Sequence, residues 1–278
     1  MKILITGSNG QLGRSLKKQF YKNKDITLIL TDICEMDITD VEDVQRVFFS
    51  FNPDVVINCA ANTAVDMCED DKEKAFAINV DGAKNIAIVS NEIDAKMVHI
   101  STDYVFDGEA KKPYIESDTP NPQSVYGMSK LEGEKAVLKN NPKSFILRTA
   151  WLYGEGKNFV KTMLNLSTKM DTLKVVNDQV GSPTSAKEVS KAIALLIETE
   201  RYGIYHGTCE NECSWYEFAK RIFELKNIDI TLTPCTTSEF PMKAKRPKYS
   251  VLDNKNFREE FGYVFPTWQE AIEDFFSH

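Results

Sequence analysis

Tyr126 and Lys130 stand four residues apart in Tyr126-Gly127-Met128-Ser129-Lys130, at the start of a segment with helical periodicity. That spacing puts both side chains on one helical face. A phenol with an ordinary pKa of about 10 exchanges protons poorly near neutrality. A nearby ammonium stabilises the phenolate and lowers that pKa. The same lysine can donate hydrogen bonds to ribose hydroxyls. Alone, the pair could equally be a surface pair, because Tyr and Lys meet at this spacing by chance in many helices. Ser101-Thr102-Asp103 narrows the choice. It closes an apolar, strand-like run upstream of Tyr126. Strand carboxyl ends are where open α/β sheets place ligands. Thr102 there offers a hydroxyl that can donate to a substrate carbonyl oxygen, or to the alkoxide it becomes.

A second constellation concerns a nucleotide. The first apolar run leads into Gly7-Ser8-Asn9-Gly10-Gln11-Leu12-Gly13, with a helical segment following. Glycines permit a tight turn and let backbone approach a pyrophosphate with no Cβ in the way. The next helix would point its N-terminal N–H groups at that anion. Gly7, Asn9, Gly10, Gln11, Leu12 and Gly13 are therefore candidate cofactor residues. Asp32 comes one helical segment and one strand-like run after Gly13, where an acid accepts adenosine ribose hydroxyls. Its competing reading is a solvated loop aspartate. No Lys or Arg occurs from Thr31 to Val41, which favours NADH over NADPH. Asp37 and Ile38 could hold the adenine edge, although Asp37 could also be a turn residue. Small residues at Ala60 and Ala61 would let a cofactor lie against backbone, and sheet packing would explain them as well.

These residues need a scaffold, and the hydrophobic periods supply one. Strand-like runs occur at Lys2–Thr6, Ile26–Leu30, Val55–Cys59, Met97–Ser101 and Ser144–Arg148. Helical periods fall between them at Leu12–Tyr21, Val41–Phe51, Lys72–Glu92 and Val125–Lys139, with Asp40 placed to cap the second. This alternation predicts an α/β fold: a Rossmann-type, doubly wound parallel sheet. After Trp151 the pattern loosens. Helices are expected at Asn158–Lys169, Ala186–Thr199, Trp215–Leu225, Asn254–Phe261 and Trp268–Phe276. Strands are expected at Leu173–Val176, Ile204–Gly207 and Asp229–Thr233. Residues 1–150 are read as the dinucleotide-binding domain. Residues 151–278 are read as mainly a smaller α/β substrate lobe, with one or two later strands returning to the sheet.

Composition bounds the partners. The chain has 278 residues, 34 Lys+Arg against 41 Asp+Glu, and a net charge of −7. An acidic chain with no basic run is a poor nucleic-acid binder. No apolar stretch approaches the roughly 20 residues that span a bilayer. The N-terminus enters a strand directly, with no signal-peptide layout, so a cytoplasmic address is expected. Six scattered cysteines form no CxxC pair and are read as idle thiols. His206, Cys209 and Cys213 lie close in sequence but lack a spaced fourth metal ligand, and no metal site is assigned.

The sequence resembles the extended short-chain dehydrogenase/reductase superfamily and, within it, the dTDP-4-dehydrorhamnose reductase family. The resemblance covers nearly the whole chain. It rests on Gly7–Gly13, on Asn58-Cys59-Ala60-Ala61-Asn62-Thr63-Ala64-Val65-Asp66, on Ile78-Asn79-Val80 and on Ser101-Thr102-Asp103-Tyr104-Val105-Phe106-Asp107-Gly108. Tyr126–Lys130, Arg148-Thr149-Ala150-Trp151-Leu152-Tyr153-Gly154, Asp178-Gln179-Val180-Gly181-Ser182-Pro183-Thr184 and Arg246-Pro247 complete it. The glycine loop is widespread, whereas the Thr-Asp-Tyr-Val-Phe-Asp-Gly and Asp-Gln-x-Gly-x-Pro-Thr stretches are specific.

The resemblance implies hydride transfer from NADH or NADPH to the carbon-four ketone of a nucleotide sugar. It makes Tyr126 the proton donor and Lys130 its tuner and ribose holder, while Thr102 polarises the carbonyl. It adds Thr63 to the cofactor residues. Asp103 and Tyr104 would shape the pocket, Trp151 would cover the sugar, and Gln179 and Arg246 would contact substrate. Trp151 could instead be inter-lobe packing. Arg246 suits a diphosphate, or with Lys243 and Lys245 could form a solvated basic loop. Related dehydratases carry Glu where Tyr104 stands, which disfavours elimination. Ser15 replaces a glutamate that in some members supports a magnesium-linked dimer, so a monomer or weak dimer is expected. Two alternatives stay open: a reductase of a different nucleotide-4-keto-sugar, and a non-catalytic subunit resembling the regulatory subunit of methionine adenosyltransferase.

Overall fold

A computed structural model describes residues 1–277, so His278, the last residue of the expected 151–278 lobe, lies outside the described residues. Short runs of β-branched and large aliphatic residues form the central sheet. Its strands are β1 (Lys2–Thr6), β2 (Thr27–Leu30), β3 (Val55–Asn58), β4 (Lys96–Thr102), β5 (Ser144–Thr149) and β10 (Gly203–His206). They pair in the order β10-β5-β4-β3-β1-β2, every pair parallel. Both faces are covered, which is why Ile3-Leu4-Ile5 and Val55-Val56-Ile57 are buried as continuous apolar runs rather than alternating ones.

One face carries α1 (Gln11–Tyr21), α8 (Ala186–Ile197) and α10 (Lys255–Phe261), through Leu12, Leu16, Phe20, Val189, Ile193 and Phe257. The other carries α2 (Val41–Phe51), α5 (Ala83–Glu92) and α6 (Val125–Asn140), through Val44, Phe48, Ile86, Val89 and Val137. Asp40 does cap α2, its carboxylate accepting from Glu42 N and Asp43 N. From β1 the chain winds outward to β2 and then back to β3 on the other side. That reversal is a topological switch point, and a crevice opens there at the strand carboxyl ends.

The expected single helix Lys72–Glu92 is interrupted. Helices α3 (Val65–Asp70) and α4 (Lys72–Phe76) precede a π-helical turn at Ala77–Gly82 and then α5. The wide turn presents Asn79 inward. Its Oδ1 accepts from Asn62 N at 2.8 Å, and its Nδ2 donates to Asn62 O at 3.1 Å and to Ser129 Oγ at 2.9 Å. A buried polar clasp between the loop after β3 and α6 therefore breaks the helix, and apolar periodicity carries no trace of it.

The second half adds β6 (Leu152–Tyr153), α7 (Phe159–Ser167), β7 (Thr172–Val176), β8 (Val180–Gly181) and β9 (Thr184–Ser185). After β10 come β11 (Cys213–Ser214), α9 (Trp215–Lys226), β12 (Thr231–Cys235) and α11 (Trp268–Ser277). Helices α7, α9 and α11 enclose a separate cluster that includes Met163, Leu173, Cys209, Cys213, Phe218 and Trp268. Strand β12 begins and ends later than the expected Asp229–Thr233 and contains Pro234. Among the described residues it pairs only with β7, and a strand paired on one side tolerates the missing N–H. No described helix is long and apolar enough to cross a membrane.

Candidate active site

A cleft of about 1020 Å³ follows the carboxyl ends of β1, β3 and β4 and reaches Trp151 and Trp215 in the second half. At its floor Gly7 adopts φ +59°, and its amide plane is tied by Gly10 N donating to Gly7 O at 3.0 Å. A Cβ on Gly7 would sit 2.8 Å from Ala60 N, and one on Gly13 would sit 2.6 Å from Gly7 O. The bare backbone is thus a steric requirement of the turn. Helix α1 begins beyond Gly10 with no side-chain cap and no acid in its first turn. Its first N–H groups therefore stay available to an anion. A pyrophosphate fits this cradle by both shape and charge.

Gly7, Gly10, Gln11, Leu12, Gly13, Asp32, Asp37, Ile38, Ala60, Ala61 and Thr63 all line the cleft. Asn9 is exposed and ties the turn to the end of the second strand, its N–H donating to Asp32 Oδ2 at 3.1 Å. Asp37 is partly engaged as a turn residue, because Oδ1 accepts from Thr39 N at 2.9 Å and from Thr39 Oγ1 at 2.7 Å. A cation that the Thr31–Val41 window could not contain also reaches this end. Arg46 on α2 donates to Glu35 O at 3.0 Å and pairs with Asp43.

Tyr126, Lys130 and Thr102 line the same cleft. Ser124 caps α6 by accepting from Gly127 N at 3.1 Å, which fixes the first turn that carries Tyr126. Tyr126 is 8 % exposed and Lys130 2 %. Burial pushes the phenol upward, with the Thr102 hydroxyl opposing that rise. Burial lowers the Lys130 amine to about 8, against the raising influence of Glu134. Among the described residues, the hydrogen-bond partners of the lysine are on β4 and do not include the phenol: its Nζ donates to Ile100 O at 2.6 Å and lies 3.5 Å from His99 Nε2. Burial thus outweighs any lowering of the phenol by the ammonium, and Tyr126 stays protonated. That is the state a proton donor requires.

Thr102 Oγ1 donates to Asp103 Oδ1 at 2.9 Å and accepts from Tyr104 N at 3.2 Å. Burial raises Asp103 to about 6, against the hydrogen bonds that lower it. Tyr104 meets Tyr126 edge to face at 5.5 Å, and burial pushes its phenol up to about 12. A phenol so raised does not serve as the base that elimination needs.

Trp151 lies at the far wall with φ +47°, stacked on Trp215 at 3.5 Å between centroids and 4° between planes. Gln179 is buried outside the cleft lining and donates to Thr237 Oγ1 at 3.0 Å. Arg246 also lies outside the lining. It touches the site through Tyr104, donating to its hydroxyl at 3.2 Å and to Asp66 Oδ2 at 2.6 Å. Trp215, Lys74 and His99 were not singled out from the sequence, although Trp215 and Lys74 line the cleft. Trp215 opens a helix far along the chain from Trp151, and Lys74 sits in a charged helical stretch, so neither carried a local signal. His206 is in the core, with Nδ1 3.1 Å from Tyr114 O, while Cys209 and Cys213 pack in the second cluster.

A doubly wound parallel sheet, a glycine turn opening on an uncapped helix, and a buried Tyr-x-x-x-Lys helix beside a strand-end threonine define the extended short-chain dehydrogenase/reductase class. Relatives in sequence and in structure narrow that class. Residues 1–278 match the RmlD substrate binding domain family, and the chain belongs to that family. It is 42% identical to a dTDP-4-dehydrorhamnose reductase of Aggregatibacter actinomycetemcomitans, over 98% of this chain and 97% of that protein. Among solved structures, a dTDP-4-dehydrorhamnose reductase of Clostridium acetobutylicum superposes with a TM-score of 0.98. The identity is 53%, covering 100% of this chain and 99% of that one. A Bacillus anthracis dTDP-4-dehydrorhamnose reductase in complex with NADP superposes with a TM-score of 0.97. There the identity is 41%, covering 99% of this chain and 98% of that one.

Proposed function

We propose that this chain reduces the 4-keto group of dTDP-4-dehydro-L-rhamnose to give dTDP-L-rhamnose, using NADH or NADPH. The observation that carries the reading is one cleft lined jointly by the glycine turn, Thr102, Tyr126 and Lys130. The nicotinamide supplies the hydride when bound. The Gly7–Gly13 turn and the open end of α1 hold the pyrophosphate, and Ala60, Ala61 and Thr63 leave room beside it. Asp32 accepts ribose hydroxyls at the adenosine end, with Asp37 and Ile38 beside it. Lys130 directs an N–H to the ribose nearer the reacting centre. Tyr126 gives its proton to the oxygen that becomes the alcohol, and Thr102 steadies that oxygen.

On the sugar side, the 151–278 lobe supplies Trp151 against the ring. Arg246 serves the diphosphate by exchanging its contact with Asp66, and it holds Tyr104 in place at the pocket wall beside Asp103. Gln179 supports this face from behind. The carboxylates of Asp32 and Glu35 favour NADH, and Arg46, reaching this loop from α2, is the cation that a 2′-phosphate would recruit. Ser15 gives α1 no carboxylate for a bridging metal, which fits a monomer or weak dimer. Six free thiols and a reduced nicotinamide suit a cytoplasmic setting.

The test is a spectrophotometric assay across several nucleotide-4-keto-sugars, with NADH and NADPH in parallel. Highest kcat/KM for the dTDP-4-dehydro-L-rhamnose is expected. Turnover confined to another sugar nucleotide, or none at all with intact cofactor binding, would refute the assignment.

A further inference from the structure

Behind the cleft wall a line of buried polar groups joins three strands to α6. Lys130 Nζ lies 3.5 Å from His99 Nε2. His99 Nδ1 lies 3.1 Å from the Asn58 amide nitrogen. The Asn58 amide oxygen lies 2.7 Å from Thr6 Oγ1, which accepts from Ala60 N at 3.2 Å. All four side chains are buried. A neutral imidazole has one donor and one acceptor nitrogen, and an amide exchanges its oxygen and nitrogen by a half-turn. An ammonium can only donate.

These constraints leave two consistent directions along the line. With Lys130 charged, His99 must accept at Nε2 and carry its proton on Nδ1. That proton then needs an acceptor, so the Asn58 amide must turn its oxygen to His99 and its nitrogen to Thr6. Thr6 Oγ1 then accepts from both Asn58 and Ala60, and its own proton is released toward the cleft that Thr6 lines. With Lys130 neutral, its nitrogen gains a lone pair that can accept, and the opposite direction opens: His99 donates from Nε2, Asn58 donates to Nδ1, and Thr6 donates to Asn58. In either direction one Lys130 hydrogen-bonding site is spent on His99 and one N–H on Ile100 O. A charged Lys130 therefore keeps one of its three N–H groups for a ligand.

We infer that His99 is the positioning residue for Lys130, and that the His99 tautomer and the Asn58 amide orientation report whether that lysine is charged. The inference deepens the reading of Lys130 as the ribose-holding lysine and rests on it. Burial and the Lys130 charge hold His99 well below its ordinary range, so the ring stays neutral and only its tautomer changes. The charged and titratable groups facing Lys130 are Glu134 on its own helix, Cys59 at the end of β3 and His99 on β4. His99 itself faces Asn58 on β3 and Lys130 on α6.

The test uses the full chain labelled with 15N-histidine, without cofactor. The His99 ring signals are assigned by their loss in His99→Gln and followed from pH 6 to 10. The expected result is a neutral ring protonated on Nδ1 at low pH that shifts toward Nε2–H as Lys130 loses its proton. Lys130→Met should abolish that shift. A ring fixed in one tautomer throughout, one that becomes imidazolium, or an unchanged shift in Lys130→Met overturns the inference. None of these outcomes depends on which sugar is reduced. As a second readout, His99→Leu should raise KM for the nicotinamide cofactor roughly tenfold to hundredfold, the scale of a lost hydrogen bond to a charged group. His99→Gln, which can accept and donate in the same line, should recover most of that loss. Equal falls in kcat for both variants, with KM unmoved, would also overturn it.

Discussion

Trp151 occupies the space that Gly181 leaves empty. A Cβ on Gly181 would lie 2.5 Å from Trp151 Cε2 and 2.6 Å from Nε1. Gly181 does not adopt a left-handed φ, so it contributes room rather than conformational freedom. Trp151 does adopt one, at +47°, and its ring also stacks face to face on Trp215. The glycine of the Asp-Gln-x-Gly stretch and the tryptophan of the Arg-Thr-Ala-Trp stretch, well separated along the chain, are thus two halves of one packing arrangement at the cleft wall.

Gly181→Ala should therefore push Trp151 off Trp215. A methyl forced against an indole that is already packed costs about 1–3 kcal/mol. KM for the sugar nucleotide should rise at least tenfold, while the dissociation constant for NAD(P)H, measured by fluorescence quenching, stays unchanged. The near-ultraviolet circular dichroism of the stacked pair should weaken in parallel. Unchanged sugar kinetics would take Trp151 out of the substrate site.

Tyr126→Phe keeps the edge-to-face contact with Tyr104 and removes only the ionisable hydroxyl. Loss of a positioned proton donor lowers turnover by roughly 10²–10⁴-fold. The expected outcome is a fall in kcat of that size, with cofactor affinity within about twofold of the native value, read by stopped-flow reduction and equilibrium titration. A variant retaining native turnover would remove the phenol from the chemistry.

Local signals were legible and distant pairings were not. The cap at Asp40, the glycine turn and the Tyr126–Lys130 face all follow from residues within a few positions of one another. The strand-end placement of Thr102 follows from the parallel alternation alone. The π turn at Asn79 was hidden, because its cause is a hydrogen bond to Ser129, 50 residues away. The direction in which Lys130 points was hidden for the same reason: its partners are on β4, not on its own helix. Arg46 escaped a window ending at Val41 because a long side chain reaches back along α2. Arg246 was identified as a cation for substrate, but its attachment to Tyr104 and Asp66 depends on how the 236–250 loop crosses α3.

The Arg148–Glu134 pair offers a test read in stability rather than in turnover. Both side chains are 2 % exposed, with Arg148 Nε 2.9 Å from Glu134 Oε1 and NH2 2.7 Å from Oε2, and Ser101 Oγ donates to the same carboxylate. Removing one member leaves the other charge buried without its counter-ion, at a cost of about 3–5 kcal/mol. Glu134→Leu should lower the urea unfolding free energy by that amount. The double variant Glu134→Leu with Arg148→Met should recover a large part of it, since packed apolar groups can replace such a pair. A double variant as unstable as the sum of its parts would show that the pair is needed for more than mutual neutralisation.

Asp103 sets the pH at which Thr102 can act. A hydroxyl has one proton, and Thr102 gives it to Asp103 Oδ1 while that carboxyl is ionised. Once Asp103 is protonated it can donate instead, and the Thr102 proton becomes free for the substrate oxygen. Burial places that change at about 6. Protonation therefore favours the reaction, and kcat for ketone reduction should fall as pH rises through about 6. Asp103→Asn cannot ionise, and its amide can donate to Thr102 at every pH. That variant should lose the pH dependence between 5 and 7 while keeping measurable turnover. The profile of kcat against pH for the two proteins decides the matter. An identical fall in both would assign it to another group and leave Asp103 as packing.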